Sequence, residues 1–175
     1  MPGSTITAAQ QDSPSPGRIW RTAARLVLLT AALAVAGTGM SAPARAASTS
    51  TVSVGQQPVA VAVNAATNKI YVANNRDNTV TVINGATNAT ATVAVGQQPV
   101  AVAVNAATNK IYVANSSGDS RYSNTGGTVT VIDGATNATA TVAVGQQPVA
   151  VAVNATTNLV YVANSGDNTV TVISP

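Results

Sequence analysis

One block of twenty residues returns three times, and this repetition constrains the chain more than anything else in it. Residues 55–74, GQQPVAVAVNAATNKIYVAN, recur without change at 96–115, and 145–164 differ only at Thr156, Leu159 and Val160. The blocks begin 41 and then 49 residues apart. The extra length falls in one place: SSGDSRYSNTGG (116–127) stands where the first repeat has NRDN (75–78). Units of about 40 residues that recur in tandem bury their apolar faces against one another, so the repeat has to be settled before any single motif is weighed.

Each unit contains four short runs separated by turn residues. In the first unit these are 59–63 (VAVAV), 69–73 (KIYVA), 79–83 (TVTVI) and 90–95 (TATVAV). Runs of five or six residues with period-2 alternation, rich in Val, Ile, Thr and Tyr, predict strands. Asn84-Gly85 and Asp133-Gly134 are expected to supply the positive φ of hairpin turns. The 59–63 run is apolar on both faces, which places it between layers, whereas the threonine face of 79–83 places that run nearer water. Four strands per unit describe a propeller blade. A β-solenoid is the rival architecture, but its coils are usually shorter.

Tyr71-Val72-Ala73-Asn74, Tyr112-Val113-Ala114-Asn115 and Tyr161-Val162-Ala163-Asn164 resemble the signature of the YVTN β-propeller repeat family. Ala stands in place of the usual Thr in all three copies. The resemblance extends to the preceding P-x-x-V/A-x-N strand and the following N-T-V-x-V-I strand, and covers 51–175. It implies an exported, surface-layer-like propeller scaffold. The fold class expected is all-β, with three four-stranded antiparallel blades (repeats at about 51–91, 92–140 and 141–175) forming a partial propeller or half of a ring. A lone strand at 51–54 is expected to supply what the last blade lacks. Three blades fall below the usual four to eight, so a homodimer that completes a six-blade ring is expected; the rival account is a fragment of a longer propeller.

The composition narrows the chemistry. The 175 residues include no Cys, His, Phe or Glu, and all five acidic residues are Asp. A disulfide framework, the usual zinc sites and histidine acid–base catalysis cannot be built from this set. No enzyme activity, catalytic residue, cofactor or metal is expected. The net charge of +3 lies entirely within 1–46; residues 47–175 balance four cations against four Asp. Nucleic acid is therefore not an expected partner.

Residues 1–46 read as a secretory leader. Arg18, Arg21 and Arg25 precede an apolar run at 26–40, and Ala42-Pro43-Ala44 and Ala44-Arg45-Ala46 fit the small-residue cleavage pattern. The run is shorter than a membrane-spanning helix requires. Secretion or display at the cell surface is expected, with no membrane attachment after cleavage. An uncleaved anchor is the alternative.

The candidate binding face is the loop rim: Gln56, Gln57, Gln97, Gln98, Gln146 and Gln147 in the GQQP turns, Asp77, Asp119 and Asp167 in the second-to-third strand loops, and Arg121 and Tyr122 in the 116–127 insertion. The three Asp could ligate Ca²⁺ through oxygen, but turn capping is the favoured reading. The YVAN tyrosines are expected to be packing residues. Asn88, Asn115, Asn137 and Asn154 begin N-x-S/T triplets, which arise by chance in so Asn- and Thr-rich a chain. The expected function is an exported, non-catalytic scaffold that binds a protein or cell-envelope component. A carbohydrate-binding lectin is the alternative, and an enzyme related to lyase or redox propellers is a remote one.

Overall fold

The computed structural model describes residues 48–116 and 126–175, all within the unit Ala47–Pro175. The leader and most of the insertion, including Asp119, Arg121 and Tyr122, lie outside the described residues.

Every run predicted within the repeats forms a strand, within a residue or two at its ends. Sheet 1 is β1 (Pro58–Asn64), β2 (Lys69–Asn74), β3 (Thr79–Asn84) and β4 (Thr90–Ala94). Sheet 2 is β5 (Pro99–Asn105), β6 (Lys110–Asn115), β7 (Thr128–Asp133) and β8 (Thr139–Ala143). Sheet 3 is β9 (Pro148–Val153), β10 (Val160–Asn164) and β11 (Thr169–Ile173). All three are antiparallel meanders with neighbours in chain order. The third sheet has three strands among the described residues, because 51–54 forms no strand; the expectation of a strand there is corrected.

Register sorts each sheet into two unlike faces. In sheet 1, Tyr71 lies opposite Val82 and Ala73 opposite Val80, on one face; Val61 lies opposite Val72 and Val63 opposite Ile70, on the other. The sheets stack so that a tyrosine face always meets an isoleucine–valine face. Tyr71, Val80 and Val82 of sheet 1 pack on Ile111, Val113 and Ile132 of sheet 2. Tyr112 and Val129, on the opposite face of sheet 2, pack on Val160 and Val162 of sheet 3. Tyr71 and Tyr112 are 0% and 1% exposed, and burial pushes both phenols up from their ordinary pKa. Asparagine pairs seal the seams: Asn64 Nδ2 donates to Asn109 Oδ1 at 2.8 Å, and Asn105 Nδ2 to Asn158 Oδ1 at 2.9 Å.

Two local expectations are reversed. The β3 run is buried and β1 is the wetter strand. β3 is an inner strand of its sheet, with Thr81 covered by the Asn74 amide, whereas β1 is an edge strand whose valine face meets no other sheet among the described residues. Nor do Asn84-Gly85 and Asp133-Gly134 make positive-φ turns. The left-handed residues are Asn88 and Asn137. Asn84 Oδ1 accepts the amides of Ala86 and Thr87, and Asp133 Oδ1 accepts those of Ala135 and Thr136. Gly134 is required by crowding: a Cβ there would lie 2.2 Å from Asn109 Oδ1.

The single change from Asn84 to Asp133 between repeats redirects a lysine. Lys110 pairs with Asp133 Oδ2 at 2.7 Å, and Lys69, which has no such carboxylate, reaches across to the Gly134 carbonyl at 2.6 Å. The Lys110 hydrogen bond, helped by the amides of Thr136 and Ala135, holds the Asp133 carboxyl well below the usual carboxylate range.

Candidate functional site

The site is built on the buried asparagine of each YVAN motif. Asn74, Asn115 and Asn164 are almost fully buried. Asn115 Nδ2 donates to Thr130 Oγ1 at 3.0 Å and Thr128 Oγ1 at 3.2 Å, and Asn74 and Asn164 make the equivalent pairs with Thr79 and Thr81 and with Thr169 and Thr171. The same β3-type threonine receives the amide of the glycine that opens the connector, as Gly96 N to Thr130 Oγ1 at 3.1 Å shows. That glycine lies flat on the asparagine: a Cβ on Gly96 would fall 2.7 Å from Asn115 Cγ. Glycine is therefore required by close approach here, and the signature asparagine is what seats the GQQP turn.

The turn is then tied to the neighbouring second-to-third strand loop. Gln56 N donates to Asp77 Oδ2 at 2.7 Å, and Gln146 N to Asp167 Oδ2 at 2.5 Å. Asn75 N donates to Gln57 O, Ser116 N to Gln98 O and Ser165 N to Gln147 O. Gln98 N reaches Asn78 Oδ1 at 2.8 Å, linking the second connector to the first sheet's loop. The GQQP turns and these loops thus share one rim, and Ser116, at the start of the insertion, is bonded into it. Asp77 and Asp167 act as turn acceptors. Among the described residues, no three His, Cys, Asp or Glu side chains come together.

The second glutamine of every turn has a left-handed backbone: Gln57, Gln98 and Gln147 have φ of 54°, 50° and 50°. Glutamine is uncommon there. Such conformations persist where surrounding bonds over-determine them, and they gather at functional sites. Between the first two turns lies an open cleft of about 360 Å³, lined by Gln57, Asn75, Arg76, Asn78, Gln97 and Gln98. Five amide side chains surround one guanidinium, the only formal charge among the described residues of the lining. The arrangement offers hydrogen bonds to carboxylate and carbonyl oxygens. Of the sequence-proposed residues, Gln57, Gln97 and Gln98 meet here; Gln56 and Asp77 lie beside it within the turn; Gln146, Gln147 and Asp167 form the equivalent turn of sheet 3. Asn75, Arg76 and Asn78 were not foreseen, although their place in NRDN, where the longer insertion stands in the second repeat, was the available signal.

No protein-family model matches the chain, and no curated protein matches it. Among solved structures it is similar to Kuenenia stuttgartiensis hydrazine synthase, with a TM-score of 0.59 and 24% identity over 72% of this chain and 35% of that one. The fold is propeller-type. A structural genomics protein of unknown function from Bacteroides thetaiotaomicron VPI-5482 has a TM-score of 0.49 and 21% identity over 67% of this chain and 31% of that one. The chain spans about a third of the length of the solved chains it matches. At such identities the likeness concerns architecture, and function has to be argued from the site.

Proposed function

We propose that the chain is an exported, non-catalytic scaffold whose rim binds a protein or cell-envelope component through exposed carboxylate or carbonyl groups. The cleft between the first two GQQP turns carries this reading. It combines Arg76 with five amides on a backbone held in an uncommon conformation by the turn bonds. The Asp77 carboxylate beside it is engaged as a turn acceptor, and the sequence has no His, Cys or Glu. The lectin reading draws on the same amides, but among the described residues no aromatic side chain lines the cleft as a sugar platform.

The experiment is retention of the secreted chain on washed envelopes of the producing cells. Intact mass of the secreted protein should first show a start at Arg45, Ala46 or Ala47. Arg76→Ala should weaken retention about tenfold, as expected when a charged hydrogen bond is lost, with the circular dichroism spectrum unchanged. Replacing 116–127 by the NRDN loop should also weaken it. Retention unaffected by either change would refute the rim, and competition by free sugars would move the reading to the lectin.

A further inference from the structure

The two outer faces of the stack that no described residue covers are the two halves of a seam that the chain already forms twice. Each internal seam joins a tyrosine face to an isoleucine–valine face. What remains is one face of each kind. The tyrosine face of sheet 3 carries Tyr161, Val170 and Val172, which are 38%, 59% and 53% exposed. The valine face of sheet 1 carries Val61 and Val63, 65% and 58% exposed. Val61 lies opposite Val72 and Val63 opposite Ile70. This is the register in which Val102 meets Val113 and Val104 meets Ile111, and there the face is covered by sheet 1. Contiguous apolar faces of this kind mark interaction surfaces.

Two polar series run through the seams and point the same way. Asn64 donates to Asn109, and Asn105 to Asn158. The third donor in the series is Asn154, and the first acceptor is Asn68; both are exposed, whereas Asn64 and Asn105 are fully buried. At the outer edge of each complete sheet, Val95 N donates to Asn78 O and Val144 N to Gly127 O. The equivalent acceptor, just before β11, is Asn168. Residues 49–54, TSTVSV, differ from 90–95 and 139–144, both TATVAV, only by two serines for alanines. They have the sequence of a fourth strand, yet form none here.

The geometry points to a second copy of this chain as the occupant of both faces. Two copies meet head to tail, the Tyr161 face of each on the Val61 face of the other, and residues 49–54 of each copy pair as the fourth strand on β11 of the other. Two copies joined in this way make a ring of six blades, within the four to eight usual for propellers. The inference rests on the seams and is independent of what the rim binds.

Size-exclusion chromatography with light scattering on the secreted chain at micromolar concentration should give twice the single-chain mass. Tyr161→Asp and Val61→Asp alter side chains that are exposed in a single copy, so each should return the single-chain mass with its β-sheet circular dichroism retained. Mixing the two variants should restore the double mass, because the pair keeps one intact seam. A folded wild-type chain of single mass, as expected if another protein or further blades occupy these faces, overturns the proposal. So does a mass that grows without limit with concentration, or a double mass that survives both substitutions.

Discussion

Tyr112→Ala is expected to lower the unfolding free energy by about 3–5 kcal/mol, the range for truncating a large buried ring. Tyr112 sits in the seam between sheets 2 and 3, against Val160 and Val162, and is 1% exposed. Its removal leaves a cavity between two sheets that share no backbone ladder, so the neighbours have little means of collapsing into it. Tyr112→Phe should act in the opposite direction. The Tyr112 hydroxyl is buried and finds no partner among the described residues, and an unsatisfied buried hydroxyl costs about 1–3 kcal/mol. The phenylalanine variant should therefore be as stable as the parent or more so. Urea denaturation followed by circular dichroism measures both, and an alanine variant within 1 kcal/mol of the parent would show that the tyrosine face does not hold the sheets together.

The second large effect is expected at Asn115. Asn115→Asp puts a carboxylate where an amide now donates to two threonine hydroxyls beneath Gly96. The site is fully buried, and the Asn115 amide bonds only to threonine oxygens among the described residues. An uncompensated buried charge costs about 3–5 kcal/mol. Burial raises the pKa of such a carboxyl in the folded state, so the variant should recover stability as pH falls towards 4 and lose it as pH rises. Thermal melts of parent and variant at pH 4 and pH 7 check this. A variant equally destabilised at both values would point to lost shape rather than buried charge. Because Asn115 seats the connector, the same substitution should loosen the Gln98 turn and with it one wall of the rim cleft.

The strands were legible because VAVAV, KIYVA and TVTVI repeat with period 2 between turn residues, and three nearly identical copies leave little room for another assignment. Which strand is wettest was not legible. That depends on how many sheets cover each face, and the valines of β1 and β5 are the same residues in the same order with different exposure. The Asn-Gly turns were misjudged because glycine has two uses. At Gly134 it avoids the Asn109 side chain, and the positive φ falls three residues later, on Asn137. The GQQP turns of the first and third repeats are bonded to the Asp77 and Asp167 loops, since blade topology brings those loops to the same side. The left-handed glutamines were not foreseeable, because glutamine has no intrinsic preference for that conformation; the turn bonds impose it. Arg76 was read as part of a spacer, and only the stacking of sheet 2 beside sheet 1 turns it into the charged member of a cleft.

The pairing of unlike faces, in one fixed register from sheet to sheet, underlies both the fold and the proposed assembly. A double-mutant cycle across the first seam tests it most directly. Asn64→Ala, Asn109→Ala and the double variant should show a coupling of about 1 kcal/mol, the typical worth of a hydrogen bond between side chains. Asn64→Ala combined with Asn158→Ala, two residues from different seams, should be additive. Additivity at Asn64 and Asn109 would mean that sheets 1 and 2 do not meet in this register, and would contradict the account.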